Sequence, residues 1–317
     1  SFDTVEGALT AGGTLWGPLD FDASWATRER MASTKGAAGR DIPDSTFLVN
    51  QAALRLGTRL LGDWRADLAG QGYFGRRLAF TDSDQLTYAN VSAYKDLDRL
   101  SGDFKLEGPV LGTRATVTLF AGRETYDVVD SLASQSDVYY TSTSSDVLNQ
   151  GAQLKDLVAF GQQQIVFGLD WRSVAATTAL WAVPTDAPDY KSRARKQPYN
   201  PDSAQDSLGV YTQAGLHFWD GLLDLSLGAR TDSLQLRLLD TPYSPDYSAG
   251  EQSYASFNPS AGVQVSPLSW LKLHSTVGRA YSSPEAKQLA GSTTTVLYDA
   301  SWNPYNATYK SNPNLRP

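Results

Sequence analysis

The feature that most constrains this chain is a strict alternation of apolar with polar or small side chains, sustained for nine to eleven residues at a time. Ala115, Val117, Leu119 and Ala121 alternate with Arg114, Thr116, Thr118 and Gly122. Leu223, Leu225, Leu227 and Ala229 alternate with Asp224, Ser226, Gly228 and Arg230, and Ile165, Phe167, Leu169 and Trp171 with Val166, Gly168, Asp170 and Arg172. Ala52, Leu54, Leu56 and Leu60 against Gln51, Arg55, Gly57 and Arg59, and Leu19, Phe21, Ala23 and Trp25 against Asp20, Asp22 and Ser24, repeat the pattern. Successive side chains of a strand point to opposite faces, so each segment has one apolar wall and one charged wall. A soluble sandwich also alternates, but its strands run about 5–6 residues and its apolar face must meet a second sheet.

Tight turn signals punctuate the alternation: Gly17-Pro18-Leu19-Asp20, Leu61-Gly62-Asp63-Trp64, Gly108-Pro109-Val110-Leu111-Gly112, Gly161-Gln162-Gln163-Gln164, Trp219-Asp220-Gly221-Leu222 and Ser266-Pro267-Leu268-Ser269. Their starts lie 44, 47, 53, 58 and 47 residues apart, a hairpin period. Between them run longer polar stretches, expected as loops: Glu29–Thr46, Thr81–Gln85, Tyr126–Gly151, Val174–Asp206, Leu239–Gln252 and Ser282–Asn312. Short turns at one end and long loops at the other describe an all-β, antiparallel up-and-down transmembrane barrel of the bacterial outer membrane. About twelve strands are expected. Trp16, Trp64, Phe160, Trp219 and Trp270 sit beside the short turns, where an interfacial aromatic girdle belongs.

Composition removes other classes. With 27 Lys and Arg against 34 Asp and Glu, a net charge of −7, no basic face for nucleic acid is expected. Zero Cys excludes disulfide frameworks, Cys-ligated zinc and thiol catalysis, and leaves the redox compartment open; 2 His and 1 Met make transition-metal sites and resident cofactors unexpected. No run reaches the roughly 18–20 apolar residues of a membrane helix. The adjacent His274 and Ser275 would face opposite sides of a strand and cannot form a nucleophile–base pair, so the chain is not expected to be an enzyme.

Three segments carry a family resemblance. Leu208-Gly209-Val210-Tyr211-Thr212-Gln213 is followed by Leu223-Asp224-Leu225-Ser226-Leu227-Gly228-Ala229-Arg230-Thr231-Asp232. Asn258-Pro259-Ser260-Ala261-Gly262-Val263 leads through Leu271-Lys272-Leu273 to Gly278-Arg279-Ala280-Tyr281-Ser282-Ser283-Pro284, and the last is Asn312-Pro313-Asn314-Leu315-Arg316-Pro317. This region resembles the barrel of TonB-dependent outer-membrane receptors: the "LxLGxRxD" strand, the "GRAFRAP" segment and the "NPNLKPE" box. The resemblance implies 22 strands around a globular plug, TonB as energising partner, and import of a scarce large nutrient at the outer membrane of a Gram-negative bacterium. A ferric siderophore is the commonest such ligand, with oligosaccharide, peptide and cobalamin open. Residues 1–317 are expected to be part of one barrel domain, with plug and C-terminal strands outside the chain, and such a part is not expected to insert stably as a monomer. Haem receptors of the family place a His between the last two boxes. Here Arg279 to Asn312 holds none, and His217 and His274 fall on the lumen side by parity, which disfavours haem.

Candidate ligand contacts lie in the long polar stretches, because loops on a rigid wall carry recognition. They are Tyr139, Tyr140, Trp181, Tyr190, Arg193, Arg195, Tyr199, Tyr243, Tyr247, Tyr298, Trp302 and Tyr305, with the basic run Lys191–Lys196 among them. Aromatics would stack on a planar ligand while Arg and Lys meet its negative charge. In the competing reading the tyrosines pack loops together and the basic run meets the phosphates of lipopolysaccharide. Lumen charges at Arg55, Arg59, Arg65, Asp67, Arg114, Asp170, Arg172, Asp224 and Arg230 would hold a plug, or set ion selectivity in an open channel. Two further readings stand beside the receptor: a passive porin-type channel and a soluble β-rich adhesin or lectin domain.

Overall fold

A computed structural model describes residues 4–31, 46–79, 93–133, 138–184, 194–196, 198, 200–243, 249–289, 292–298 and 304–310. The wall begins with β1 (Thr4–Trp16), β2 (Leu19–Arg30), β3 (Phe47–Arg59), β4 (Arg65–Ala79), β5 (Ala93–Val110) and β6 (Thr113–Ala133). It continues with β7 (Val138–Phe160), β8 (Gln163–Pro184), β10 (Ser203–Phe218), β11 (Leu223–Leu238), β12 (Gly250–Leu268) and β13 (Leu271–Gly278). Every neighbour in this meander is antiparallel and next in the path, so the expected count of about twelve wall strands holds. The three-residue β9 (Ala194–Lys196) pairs with the outer end of β8. Beyond β13 come one helical turn, α1 (Ala286–Leu289), and a separate hairpin of β14 (Ser292–Tyr298) and β15 (Pro304–Lys310). Among the described residues β1 and β13 do not pair, so the barrel wall is partial and open between them.

The short turns fall where the sequence places them. Gly17, Gly62, Gly112, Gly161 and Gly221 take φ of 53°, 69°, 83°, 61° and 87°, left-handed values that only glycine adopts without strain. Register follows from these turns, and it fixes which side chains share a face. Asp20, Gly57, Asp67, Lys105, Thr118, Gln153, Asp170, Gly209 and Asp232 lie in one row of directly opposed residues, the polar face throughout. The other face presents Leu54, Leu68, Phe104, Leu119, Phe167, Val210, Leu227 and Leu273, all well exposed, as a lipid-facing wall requires.

Two expected loops are corrected. Tyr126–Gly151 and Val174–Asp206 are largely strand: β6, β7 and β8 run 21, 23 and 22 residues and pair from Val138 opposite Ala133 to Tyr139 opposite Pro184. The segment Val138-Tyr139-Tyr140-Thr141-Ser142-Thr143 is polar yet rich in β-branched and aromatic residues, which favour strands. A tilted strand needs only about 9–11 residues to cross a membrane, so these three project well beyond it. Ser282–Asn312, also expected as a loop, contains α1 and the β14–β15 hairpin.

Candidate functional site

The inner wall is built in three tiers from the short-turn end outward. The lowest is an ion-pair cluster on β2, β3 and β4. Arg55 bridges Asp22 and Asp67 (2.7 Å to Asp67 Oδ1), while Arg65 joins Asp20 (3.0 Å) to Asp67 (3.0 Å from its Nε). Gly57 leaves room at its centre, where a Cβ would make the Arg65 guanidinium and the Asp20 carboxylate shift. Two arginines against three aspartates leave the cluster acidic. A groove of about 720 Å³ runs along this wall, lined by Gly12, Asp22, Arg55, Gln71, Asp103 and Phe120 among others.

On β10–β13 the same level carries amides and imidazoles instead. His217, Asp224, Gln264 and His274 are directly opposed across four strands. His217 Nδ1 lies 2.6 Å from Asp224 Oδ1, and Gln264 donates to Asp224 Oδ2 at 3.0 Å. The Gln163 side chain accepts the His217 N–H (2.6 Å) and donates to the His217 carbonyl, extending the β8–β10 ladder by one surrogate peptide. Both histidines thus face the lumen, as their parity predicts.

The middle tier centres on Arg230. Its guanidinium contacts Asp232 (2.7 Å) and Asp170 (2.6 Å) and lies 5.6 Å from the Tyr211 ring centroid. The Tyr211 ring crosses Gly168, where any Cβ would collide with it. Of the expected lumen charges, Arg55, Arg65, Asp67, Asp170, Asp224 and Arg230 join such networks, while Arg114 meets Glu107 and Arg172 meets Asn149 (2.8 Å). Tyr211 and Asp232 were not singled out as interaction residues by the sequence; the glycine opposite each was the available signal.

In the top tier the polarity changes sides. On β11 the inward set runs Asp224, Ser226, Gly228, Arg230 and Asp232, then becomes Leu234, Leu236 and Leu238, buried to 7 %, 3 % and 8 % exposure. The outward set runs from leucine to Gln235 and Arg237, and Arg237 pairs with Asp206 (2.8 Å). Arg123 with Asp146 and Arg76 with Asp98 repeat outward ion pairs at this level on other strands. From Leu223 to Asp232, at about 3.3 Å per residue and a tilt near 40°, the wall rises roughly 23 Å, close to the height of an outer-membrane apolar band. The exchange of faces therefore marks the outer edge of the lipid.

The sequence-predicted ligand contacts are only partly gathered. Tyr139 and Tyr140 lie on β7 opposite Pro184 and Val183, and Trp181, half-buried on β8, is directly opposite both Ser142 and Arg195 of β9. By parity with Phe167 and Trp171, Trp181 is on the outward face. Tyr243 is exposed at a turn with φ 62°. Tyr298 and Tyr305 sit at the tip of the β14–β15 hairpin, offset by one step in register. Tyr190, Arg193, Tyr199, Tyr247 and Trp302 lie outside the described residues. No group of three or more metal-ligating side chains occurs among the described residues.

The model of the TonB dependent receptor-like β-barrel family matches residues 19–317. The chain belongs to that family. Solved structures similar to this member include the copper transporter OprC (TM-score 0.66, 12 % identity, covering 90 % of this chain and 46 % of that one). The unliganded ferric citrate transporter FecA matches with TM-score 0.63 and 12 % identity over 88 % of this chain and 42 % of its own. The Serratia marcescens hemophore receptor HasR, solved with HasA and heme, matches with TM-score 0.57 and 16 % identity over 99 % and 49 %. The chain thus spans less than half the length of these transporters, and at such identities the likeness is one of fold. No curated protein sequence matches it significantly.

Proposed function

We propose that this chain is part of the barrel of an outer-membrane receptor that imports a scarce, large nutrient with energy delivered by TonB. A ferric siderophore is the proposed cargo, with the plug and the TonB-contacting segment supplied from outside residues 1–317. The observation that carries this reading is the inner wall. In a family barrel whose outward face is apolar, the lumen at the lower two levels is lined by fixed ion pairs, amides and imidazoles rather than packed shut, a surface suited to a polar plug and a polar cargo. FecA and OprC are transporters by name, which supports transport, and FecA, BauA and PiuA, iron or siderophore proteins by name, make a ferric chelate the first cargo to test, with the copper of OprC beside it. Tyr139, Tyr140, Trp181 and Arg195 lie on the neighbouring strands β7, β8 and β9, with Trp181 on the outward face, and Tyr298 and Tyr305 lie on the β14–β15 hairpin. Those that reach the bore would stack on the cargo and meet its charge. Lipid and lipopolysaccharide would surround the outward face.

The test is uptake of labelled ferric siderophores by iron-starved cells with and without the full-length gene, each with and without an uncoupler of the inner membrane. Uptake that requires both the gene and the proton gradient supports the reading. Flux that survives the uncoupler identifies a passive channel, and material that fractionates without detergent identifies a soluble domain. Replacing Arg193 and Arg195 by Ala is expected to weaken uptake several-fold. Unchanged uptake with altered surfactant sensitivity would assign the basic run to lipopolysaccharide instead.

A further inference from the structure

Among the described residues the wall has one buried apolar cluster, and it is inside the barrel rather than against lipid: Leu236 and Leu238 of β11 with Leu289 of α1, flanked by Tyr254 and Ala286. It exists because the chain folds back after β13. Arg279 still donates its N–H to the Pro259 carbonyl (3.0 Å), the last rung of the β12–β13 ladder, and beyond it the segment leaves the wall and brings Leu289 onto the lumen-facing Leu236 and Leu238. The side chain of Gln288 then accepts the Glu285 N–H (2.9 Å) while its own N–H bonds the Glu285 carbonyl (2.9 Å), closing the single turn of α1 and presenting Leu289 to the leucines. Leu289 is 3 % exposed there.

The same docking buries polar atoms without serving them. The hydroxyls of Tyr254 and Tyr281 and the Oδ1 of Asn258 have neither solvent nor a hydrogen-bond partner. All three lie on one patch. Tyr254 and Asn258 are lumen-facing on β12, opposite Leu234 and Arg230, and Tyr281 is close enough to Tyr254 and Asp232 for both to push its phenol further above the ordinary value that burial already raises. An unserved buried donor or acceptor opposes burial about as strongly as one small apolar contact favours it. The attachment is therefore finely balanced, although its anchor is apolar.

We infer that Arg279–Leu289 is a strap that docks on and releases from the inner wall above the membrane level. Docked, it narrows the outer end of the lumen and covers Leu234, Leu236 and Leu238. Released, it hydrates Tyr254, Tyr281 and Asn258 and leaves a mixed leucine and hydroxyl surface facing the bore.

The test is independent of the transport reading, because it measures the position of the strap and not uptake. This chain has no cysteine, so Leu289→Cys adds the only thiol it contributes to the full-length protein in outer membranes. A membrane-impermeant maleimide is expected to label that thiol completely, but much more slowly than Ser282→Cys, an exposed position of the same segment. Adding Tyr281→Phe or Tyr254→Phe removes an unserved hydroxyl, favours the docked state and should slow labelling about tenfold. Three results would overturn the inference: protection of Leu289→Cys until the barrel is denatured, labelling as fast as at Ser282→Cys, or rates that neither phenylalanine changes.

Discussion

The lower and upper halves of β11 are one strand with one register, yet they obey opposite rules. Below Asp232 the leucines face outward and the charges inward; above it Leu234, Leu236 and Leu238 face inward while Gln235 and Arg237 face out. The backbone does not change between them, so the solvent does. Lipid on the outside of the lower half attracts leucine and expels charge. In the upper half water lies outside, and the apolar side chains gain only by covering the strap inside. Burial direction, not strand propensity, decides what each position holds.

That contrast can be broken at graded cost. The largest effect is expected at Leu227→Arg, on the lipid side near mid-height of the lower half, which should lose about 2–4 kcal/mol in refolding into bilayers. Leu236→Ala, on the inner side of the upper half, should cost roughly 2–3 kcal/mol of local stability, seen as faster amide exchange around Leu236 and Leu289. Asp67→Ala leaves Arg55 and Arg65 with a shared partner missing. Since both guanidinia are about a third exposed or more (side chains 37 % and 30 %), screening holds the expected loss to about 1 kcal/mol, and it should shrink in high salt. The smallest is Gln235→Arg, outward but above the lipid edge, expected within about 0.5 kcal/mol. If Gln235→Arg proved as costly as Leu227→Arg in the same refolding assay, the lipid edge drawn at Asp232 would be misplaced. A further check sharpens the upper half. Burial raises the Tyr281 phenol above its usual value, so the stability it lends is intact below the unfolded value of about 10 and is lost as pH rises through the folded one. Its ultraviolet titration should therefore lag behind that of exposed tyrosines.

The meander and its lumen face were readable because both depend on local rules. Two-residue alternation assigns faces, and glycine at left-handed φ sets each hairpin, so Arg55, Asp67, Asp224 and Arg230 were correctly expected inside. The outer ends are not, since loops and strands standing in water share a polar composition. Thr141, Ser142 and Thr143 are polar and still pair, because a strand in water needs no apolar wall. The exchange of faces was present in the sequence as a shift of leucines from odd to even numbers between Leu227 and Leu234, visible only to a reader who keeps parity past the first alternation. The strap could not be read, because Leu289 meets Leu236 through a chain reversal that no local spacing encodes. Trp181 opposite Arg195 likewise depends on the short β9 returning to β8.

The ring of outward ion pairs at the upper level, Arg76 with Asp98, Arg123 with Asp146 and Arg237 with Asp206, has a mechanical corollary. Pushing the wall inward by one pair of residues would carry guanidinium and carboxylate groups into hydrocarbon, at a cost of up to about 2–4 kcal/mol for each cation at full depth. Three such pairs along the described wall resist downward travel. A load directed toward the short-turn end would therefore be borne by the bilayer through these outward pairs.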